Sequence, residues 1–556
     1  MSALPSPFWP EGLPFHLPLP PGNAADALRR SAMARPDHPA LLYYGAVTRY
    51  GDLWQAVEAL AAHLHHACGV QRGDRVLLDM QNSPQFIIAF QAILRADAVV
   101  VPINPMNTAA EIDHYIADSG ARVALVGDEL LDRFAPFLGG PLHHLIAAHY
   151  ADALPPGCTD PLPEVLTLPP AALPPGVTPW AAALAETRAP APSKAGPEDL
   201  AVMPYTSGTT GKPKACRHPH RSVLVTGYGQ AVWYRITEAS VVTAFMPLFH
   251  VAGMQFSMSG GLAVGATLLL MTRWNRDLIP DLFIRHGVTH WSAAPTMIVD
   301  VMASNRFDAR AFYRIQVLTG GGSPMPAALA AQLKDRYGLE FCEGYGLSET
   351  LAATHINPLD RPKPQCLGIP FFDTHSMVVE PGTTRELPRG EVGEILISGP
   401  QVMQGYWNAP AADAEALVDH AGRRWLRTGD MGWCDDEGYY FISDRLKRMV
   451  NVAGYKVWPA ECEALLYRHP DIQECAVIGL RDPRRGESVK AFVTLRPEAR
   501  GRVTEEDVIA FARTVMAAYK VPRAVEFSEG LPRSGSNKID WRKLQEAEAA
   551  KAEARE

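Results

Sequence analysis

From about residue 40 the chain alternates between two hydrophobic rhythms. Leu53 to Cys68 repeats its apolar positions at the helical period, the pattern of a helix that buries one face. Val76-Leu77-Leu78, behind Arg75, is an unbroken apolar run, as in a strand covered on both sides. Pro84 to Ala96 reads as a helix, Val99 to Ile103 as a strand, Ala109 to Ser119 as a helix and Arg122 to Val126 as a strand. Strands alternating with helices predict parallel β-α-β units, hence an α/β fold whose sheet is covered on both faces.

The rhythm stops between 150 and 198, where Pro155-Pro156, Pro169-Pro170, Pro174-Pro175, Pro190 and Pro192 crowd the chain. Each proline fixes φ and removes an amide donor, so this stretch is expected to be an irregular surface connection, with a recognition arm as the alternative. Alternation resumes after 200 and runs to about 360. From Met377 to Ile397, short Val/Ile runs broken by Gly and Pro point to a β-rich subdomain. The last hundred residues differ in texture. A short strand at 449–452 is followed by a helix from Pro459 to Arg468 and strands over Cys475 to Leu480 and Val489 to Leu495. A helix from Thr504 to Ala518 opens as Thr-Glu-Glu-Asp, a capping residue with acids in the first turn. This is a small α+β unit. Gln545 to Glu556, rich in Ala, Glu and Lys, is expected to be a frayed helix or disordered.

Length and composition narrow the classes. A chain of 556 residues exceeds what one core usually supports, so two or more domains are expected. With 47% hydrophobic and 20% charged residues it has the balance of a globular protein. The net charge of −8, without any Lys/Arg block, argues against a nucleic-acid partner. The eight cysteines are scattered with no Cys-x-x-Cys pair, which fits reduced, mostly buried thiols and no zinc site. The proline-rich start, to Gly22, has no apolar run of signal-peptide length, and no window has 18 uninterrupted apolar residues. The expectation is a cytoplasmic enzyme with no membrane span.

The richest chemistry lies in Tyr205-Thr206-Ser207-Gly208-Thr209-Thr210-Gly211-Lys212-Pro213-Lys214. Small residues let backbone N–H groups approach a tetrahedral polyanion, hydroxyls add donors and lysines add charge. The preceding Leu200-Ala201-Val202-Met203 reads as a strand, so the loop leaves a strand's carboxyl end, where open α/β sheets bind ligands. It is not a Walker A loop: two residues separate Gly208 from Gly211, where that pattern needs four, and Pro213 takes the hydroxyl's place. A solvated turn is the plain alternative. Four further segments bear on the choice. Glu343-Gly344-Tyr345-Gly346-Leu347-Ser348-Glu349-Thr350 puts glycines around a ring that can stack on a base, a hydroxyl donor, and a hard carboxylate of the kind Mg²⁺ prefers. Trp425-Leu426-Arg427-Thr428-Gly429-Asp430 offers an Asp able to accept from a diol, or a common surface turn. Ser443-Asp444-Arg445-Leu446-Lys447-Arg448 is a charged stretch where the texture changes. Leu531 to Ile539 carries Lys538 on a Ser/Gly/Asn loop.

In this order and spacing, the five segments resemble the adenylate-forming superfamily of acyl-CoA synthetases, peptide adenylation domains and firefly luciferase, from about residue 25 to 544. The resemblance implies an N-terminal domain over 1–443, a hinge over 444–448 pivoting at Lys447, and a C-terminal lid over 449–556. It implies that ATP·Mg²⁺ and a carboxylic acid give an acyl-adenylate and pyrophosphate, and that coenzyme A then takes the acyl group. By motif position, Thr206, Ser207, Gly208, Thr209, Thr210, Gly211 and Lys212 hold the β- and γ-phosphates. Tyr345 stacks on adenine beside Gly321, Gly322 and Ser323. Ser348 touches the α-phosphate, Glu349 binds Mg²⁺, and Asp430 with Arg445 holds the ribose. Gly454 and Tyr455 meet coenzyme A, and Lys538 is the adenylation lysine. The chain departs from the family pattern at four places: Ala215 stands for a Gly, Asn537 for a Gly, Trp541 for a basic residue, and Asn451 for a Lys common in coumarate–CoA ligases.

Phe245 to Met254 corresponds to the segment that borders the acyl pocket in relatives. Members that activate amino acids carry an Asp there; this chain has none, which argues against an amino-acid substrate. The pocket is expected to involve His250, Val251, Gly253, Gly322 and Gly344, with His250 either a gate or a packed core histidine. Small apolar walls fit a medium- or long-chain fatty acid. An aryl or arylalkanoic acid, or transfer to a carrier protein, is the alternative, and the oligomeric state is left open, a homodimer included. An ATP hydrolase or kinase is disfavoured by the failed Walker spacing. An inactive binding protein is disfavoured by the presence of Glu349 and Lys538.

Overall fold

Apolar strands that need cover on both faces build two sheets in the first part of the chain. The computed structural model describes residues 8–206, 213–321, 325–445, 448–452, 455–482, 486–533 and 539–553. The chain divides into one unit of Met1–Ser376, Ile397–Arg427 and Glu437–Tyr440, and a second of Met377–Leu396, Thr428–Asp436 and Phe441–Glu556.

In the first unit, a seven-stranded sheet runs in the order His218–Pro219, Leu200–Val202, Val99–Pro102, Arg75–Asp79, Val123–Gly127, His144–Ala148, Val177–Pro179. All its pairings are parallel except that of His218–Pro219 with Leu200–Val202. A nine-stranded sheet runs Ile369–Pro370, Ala352–Ile356, Phe341–Leu347, Val317–Gly321, His290–Ser292, Val241–Ala244, Thr267–Leu270, Pro39–Tyr43, Ala46–Arg49. Its centre is parallel and its edges antiparallel. Helix Pro84–Arg95, capped by Ser83 and started by Pro84, is buried along all but its last residue. The α/β class expected from the hydrophobic rhythm is therefore present, with helices, strands and boundaries close to those read from the pattern.

Three elements differ from the expectation. The hairpin Pro39–Tyr43 and Ala46–Arg49 joins the nine-stranded sheet through Thr267–Leu270, a partner too distant in sequence for local pattern to reveal. The proline-rich stretch is not wholly irregular: Val177–Pro179 is an edge strand, a position that tolerates proline, and Trp180–Leu184 a short helix. The charged tail is an ordered helix over Trp541–Glu553. Trp541 and Leu544 pack beside Ala476, Ile478 and Phe492, and Lys490 pairs with Glu526 at 2.6 Å and Glu548 at 2.8 Å. Burial of one face outweighs the local charge density.

The second unit contains an antiparallel sheet in the order Tyr455–Val457, Val450–Val452, Gly486–Leu495, Ile472–Asp482, with Ala524–Phe527 parallel to Gly486–Leu495. Its core gathers Val450, Val457, Leu466, Val477, Val493 and Val508. The β-rich region expected from Met377 is present as His375–Val379 and Gly393–Ser398, neighbours in one sheet. The hinge at Lys447 lies outside the described residues. Five of the eight cysteines, Cys216, Cys342, Cys366, Cys462 and Cys475, are buried. Among the described residues no helix is long and apolar enough to cross a membrane.

Helix Glu505–Val515 is closed by a reciprocal cap: Thr504 Oγ1 accepts the Asp507 N–H at 3.2 Å, and the Asp507 carboxylate accepts the Thr504 N–H at 2.9 Å. Thr504→Ala is expected to lower the stability of this unit by about 1 kcal/mol. Urea unfolding followed by helical circular dichroism measures it; an unchanged midpoint would remove the cap from the unit's stability.

Candidate functional site

Strand Leu200–Val202 leads into the two-residue strand Tyr205–Thr206, which pairs antiparallel with Lys214–Ala215. Thr206 stands opposite Lys214 and Tyr205 opposite Ala215, so the two ends of the Ser/Thr/Gly segment form a short hairpin stem. The tip, Ser207 to Lys212, lies outside the described residues. The stem is fixed from both sides. Tyr205 Oη donates to Asp118 Oδ2 at 2.7 Å and its ring meets Tyr115 edge-on at 4.6 Å, while His114 Nε2 lies 3.0 Å from the Pro213 carbonyl. Ala215 is fully buried in the core beside the seven-stranded sheet. Its methyl group fills a strand position, which explains how the family's Gly is dispensable there.

Glu343 to Leu347 lies on strand Phe341–Leu347, and Ser348–Thr350 forms a single 3₁₀ turn at its end. The turn is held by Thr350, whose Oγ1 accepts the Leu347 N–H at 3.0 Å and donates to the Ala352 carbonyl at 2.9 Å. Leu351 at φ 48° and Ala352 at φ 86° take left-handed backbone, costly for residues with a Cβ and typical of functional turns. The glycines separate into two kinds. A Cβ on Gly346 would lie 1.7 Å from the Ala352 carbonyl, one on Gly321 2.3 Å from the Gly344 carbonyl, and one on Gly320 2.0 Å from the Ala293 carbonyl. Backbone packing alone excludes a side chain at those three. A Cβ on Gly344 would make only ordinary contacts, 3.5 Å from Tyr234 Oη and 3.7 Å from the His355 carbonyl. Gly322 and Ser323 lie outside the described residues.

Behind half-buried Tyr345 stands His355, ring centroids 5.8 Å apart, and behind His355 stands Tyr440 at 4.7 Å. Burial pushes the His355 imidazole down to about 3, so the ring is neutral. Farther back, the N-terminal arm closes the layer: Phe8 meets Tyr439 at 6.0 Å and Trp9 meets Trp233 edge-on at 5.2 Å. Glu343 is 6% exposed and accepts the Gln365 N–H at 2.9 Å. Burial raises its carboxyl to about 7, against the opposing pull of the Gln365 and Met325 N–H groups.

Residues that sequence reasoning did not identify hold the Ser348–Glu349 turn. His218 Nε2 lies 2.7 Å from the Ser348 carbonyl. A carbonyl only accepts, so that nitrogen carries the proton; burial lowers the His218 pKa to about 4 and keeps the ring neutral. The Met403 N–H donates to the Glu349 carbonyl at 2.8 Å, and Tyr406 Oη donates to Glu349 Oε1 at 2.9 Å. Burial, followed by the Glu349 charge, raises the Tyr406 phenol and keeps it protonated. The same segment pairs with the strand that follows the phosphate-loop stem, through Arg217 N–H to Gly405 O at 2.9 Å and Trp407 N–H to Ala215 O at 2.8 Å. Its sequence signal is only a Gly-Tyr-Trp-Asn run.

The acyl-pocket segment is likewise held from a distance. Asn82 Nδ2 donates to the Ala244 carbonyl at 3.2 Å and the Met246 carbonyl at 3.0 Å, while Asn82 Oδ1 accepts the Leu248 N–H at 2.9 Å. Half-buried His250 opens a turn in which Nδ1 accepts the Ala252 N–H at 3.3 Å. Val251 is 5% exposed. Gly253 starts a π-helical stretch, Gly253–Gly260, where a Cβ would lie 2.4 Å from the Pro247 carbonyl, so its glycine has a packing cause.

In the second unit Asp430 is fully buried on strand Arg423–Cys434 rather than on a surface turn. Its N–H donates to Thr428 Oγ1 at 3.0 Å, and Thr428 Oγ1 donates to the Ile395 carbonyl at 2.7 Å. Arg445 ends strand Tyr440–Arg445 and Tyr455 begins Tyr455–Val457; their side chains, and all of Gly454 and Lys538, lie outside the described residues. Trp541 lies 5.5 Å beneath the Arg448 guanidinium, a stacking role for the residue at a position where the family favours a base.

The family model described as AMP-binding enzyme matches residues 28–407, and that of its C-terminal domain matches 461–538. The chain belongs to the AMP-binding enzyme family. It is 32% identical to the long-chain-fatty-acid–CoA ligase of Bacillus subtilis (strain 168), over 97% of either chain. It is 34% identical to a feruloyl-CoA synthase of Amycolatopsis, over 92% of this chain and 96% of that one. ATP-bound MatB from Rhodopseudomonas palustris superposes with a TM-score of 0.83 at 26% identity, covering 95% of this chain and 99% of that one. The fold class, with a large N-terminal and a small C-terminal domain, is that of these AMP-binding enzymes.

Glu343 gives a pH prediction. Its folded pKa is raised above the unfolded value, so the folded state holds the extra proton. Its contribution to stability is complete below the unfolded pKa and is lost as pH rises through about 7. The melting temperature of the wild type should therefore fall between pH 5 and pH 8 more than that of Glu343→Gln, measured by calorimetry across that range. Parallel curves would mean that Glu343 does not titrate there.

Proposed function

We propose that this protein activates a medium- or long-chain fatty acid with ATP as an acyl-adenylate, releases pyrophosphate, and transfers the acyl group to coenzyme A. The observation that carries the reaction class is the family match across both domains together with the whole-length likeness to acid–CoA ligases. The substrate class is supported by the fatty-acid ligase among those relatives and by the absence of any acid from Phe245 to Met254. A second reading, an aryl acid such as a hydroxycinnamate, is favoured by the likeness to feruloyl-CoA synthase.

In this reading, the hairpin-borne loop from Thr206 to Lys212 grips the β- and γ-phosphates, Tyr345 stacks on adenine, and Ser348 donates to the α-phosphate. Asp430 and Arg445 hold the ribose. Lys538 neutralises charge during adenylation, Lys447 is the pivot, and Gly454 and Tyr455 meet coenzyme A. A carboxylate attacking a phosphate brings two anions together, so catalysis rests on positioning and on cations and donors set in advance. Glu349 fits a divalent cation: its carboxylate is a hard ligand, partly exposed and oriented by Tyr406. Among the described residues no group of three or more His, Cys, Asp or Glu could hold a metal. Mg²⁺ takes one or two carboxylates together with substrate phosphates, so Glu349 would suffice as the protein's ligand. When bound, Mg²⁺ supplies positive charge to the phosphate oxygens. The acyl-adenylate is open to water as well as thiol, so the site must exclude solvent until coenzyme A arrives.

With Mg²⁺, coenzyme A and acids of graded length, the protein is expected to convert ATP to AMP and pyrophosphate and to yield an acyl-CoA, read by nucleotide chromatography and mass spectrometry. ADP or orthophosphate as first product would overturn the reaction class. A hydroxycinnamate turned over far better than any alkyl acid would move the substrate to the second reading. Because Gly344 has room for a methyl group, Gly344→Ala should fold normally and shift acid preference towards shorter chains. We expect about tenfold in kcat/KM for the longest substrate, with the KM for ATP little changed. An unaltered chain-length profile would exclude Gly344 from the acyl wall.

A further inference from the structure

The segment Met403–Trp407 touches the candidate site at two places that are far apart in sequence. Its Met403 N–H holds the backbone of Glu349 at 2.8 Å, and its Tyr406 hydroxyl holds the Glu349 carboxylate at 2.9 Å. On its other side it forms a short antiparallel ladder with residues 215–217, the continuation of the phosphate-loop stem, with Tyr406 bridged to Cys216. The Tyr406 ring also lies 5.4 Å from Lys214 Nζ, within cation–π range.

Tyr406 is itself tightly placed. Its N–H donates to Asp413 Oδ1 at 2.6 Å. Gly405 before it has φ +135°, and a Cβ there would lie 2.5 Å from Asp413 Oδ2 and 2.8 Å from an Arg217 guanidinium nitrogen. Trp407 after it donates Nε1–H to the Asp118 carbonyl at 2.9 Å. A phenol fixed at three neighbouring points can define the plane of the carboxylate it meets. A Glu side chain with three rotors cannot do so alone.

We propose that Tyr406 is the positioning residue for Glu349: its hydroxyl orients the carboxylate towards the divalent cation of the nucleotide, and the ladder to 215–217 keeps that carboxylate in step with the phosphate loop. This rests on the reading of Glu349 as the cation's carboxylate. Outer-shell partners of this kind govern metal affinity more than the chemistry of turnover.

Tyr406→Phe removes the hydroxyl and keeps the ring over Lys214. The half-saturating Mg²⁺ concentration in ATP–pyrophosphate exchange should rise about tenfold, and added Mg²⁺ should restore most of the turnover. Mn²⁺ binding to the protein with α,β-methylene-ATP, followed by the electron paramagnetic resonance of free Mn²⁺, should weaken by a similar factor. Trp407→Phe breaks one of the three anchors of the segment but leaves the Tyr406 hydroxyl on Glu349, and should lower the melting temperature while shifting the Mg²⁺ dependence much less than Tyr406→Phe does. The proposal is overturned if Tyr406→Phe leaves both cation readouts unchanged, or if Trp407→Phe shifts them equally. Glu349→Gln separates the two layers. If it shifts both readouts and Tyr406→Phe does not, the role of Tyr406 alone fails. If Glu349→Gln shifts neither, the reading of Glu349 fails and the role of Tyr406 with it.

Discussion

The backbone ladder between residues 215–217 and 404–407 is the constraint on which the arrangement of the first unit's site depends. It is anchored at the hairpin stem, where Thr206 pairs with Lys214 and where Ala215 and Cys216 enter the core. The ladder then joins that stem to the Ser348–Glu349 turn. Hydrophobic burial reinforces it: Cys216, Met403 and Leu426 form one cluster, with Leu347 and Tyr406 against it.

Around that frame, burial keeps two histidines neutral. His218 and His355 lie in the second layer, and desolvation drives both well below neutrality in pKa. On the strand Phe341–Leu347, burial raises the Glu343 carboxyl to about 7, and backbone N–H groups of Gln365 and Met325 bond to it. The stability of this strand is thereby tied to pH.

The glycines of the two central strands show why a motif cannot be read as a list of ligands. Gly320, Gly321 and Gly346 are dictated by carbonyl groups of neighbouring strands, and Gly253 by the turn it closes. Gly344 has no such neighbour, so no backbone contact within the protein accounts for its lack of a side chain. The two cases differ in packing: a side chain is excluded in the first group, whereas a methyl group fits at Gly344.

Sequence by itself determined what depends on short range. The hydrophobic periods announced the parallel α/β units, because a strand covered on both faces must be apolar throughout. The Thr504–Asp507 cap was legible because capping depends on neighbours a few residues away. Tertiary structure alone decided what joins distant segments. Tyr406 reaches Glu349 across 57 residues, and Asn82 reaches Leu248 across 166. Neither contact leaves a periodic trace, since one hydrogen bond constrains one residue on each side. The helix Trp541–Glu553 was hidden for a related reason: its composition is that of a solvated tail, and only the apolar sheet face of Ala476, Ile478 and Phe492 gives Trp541 and Leu544 a surface to cover.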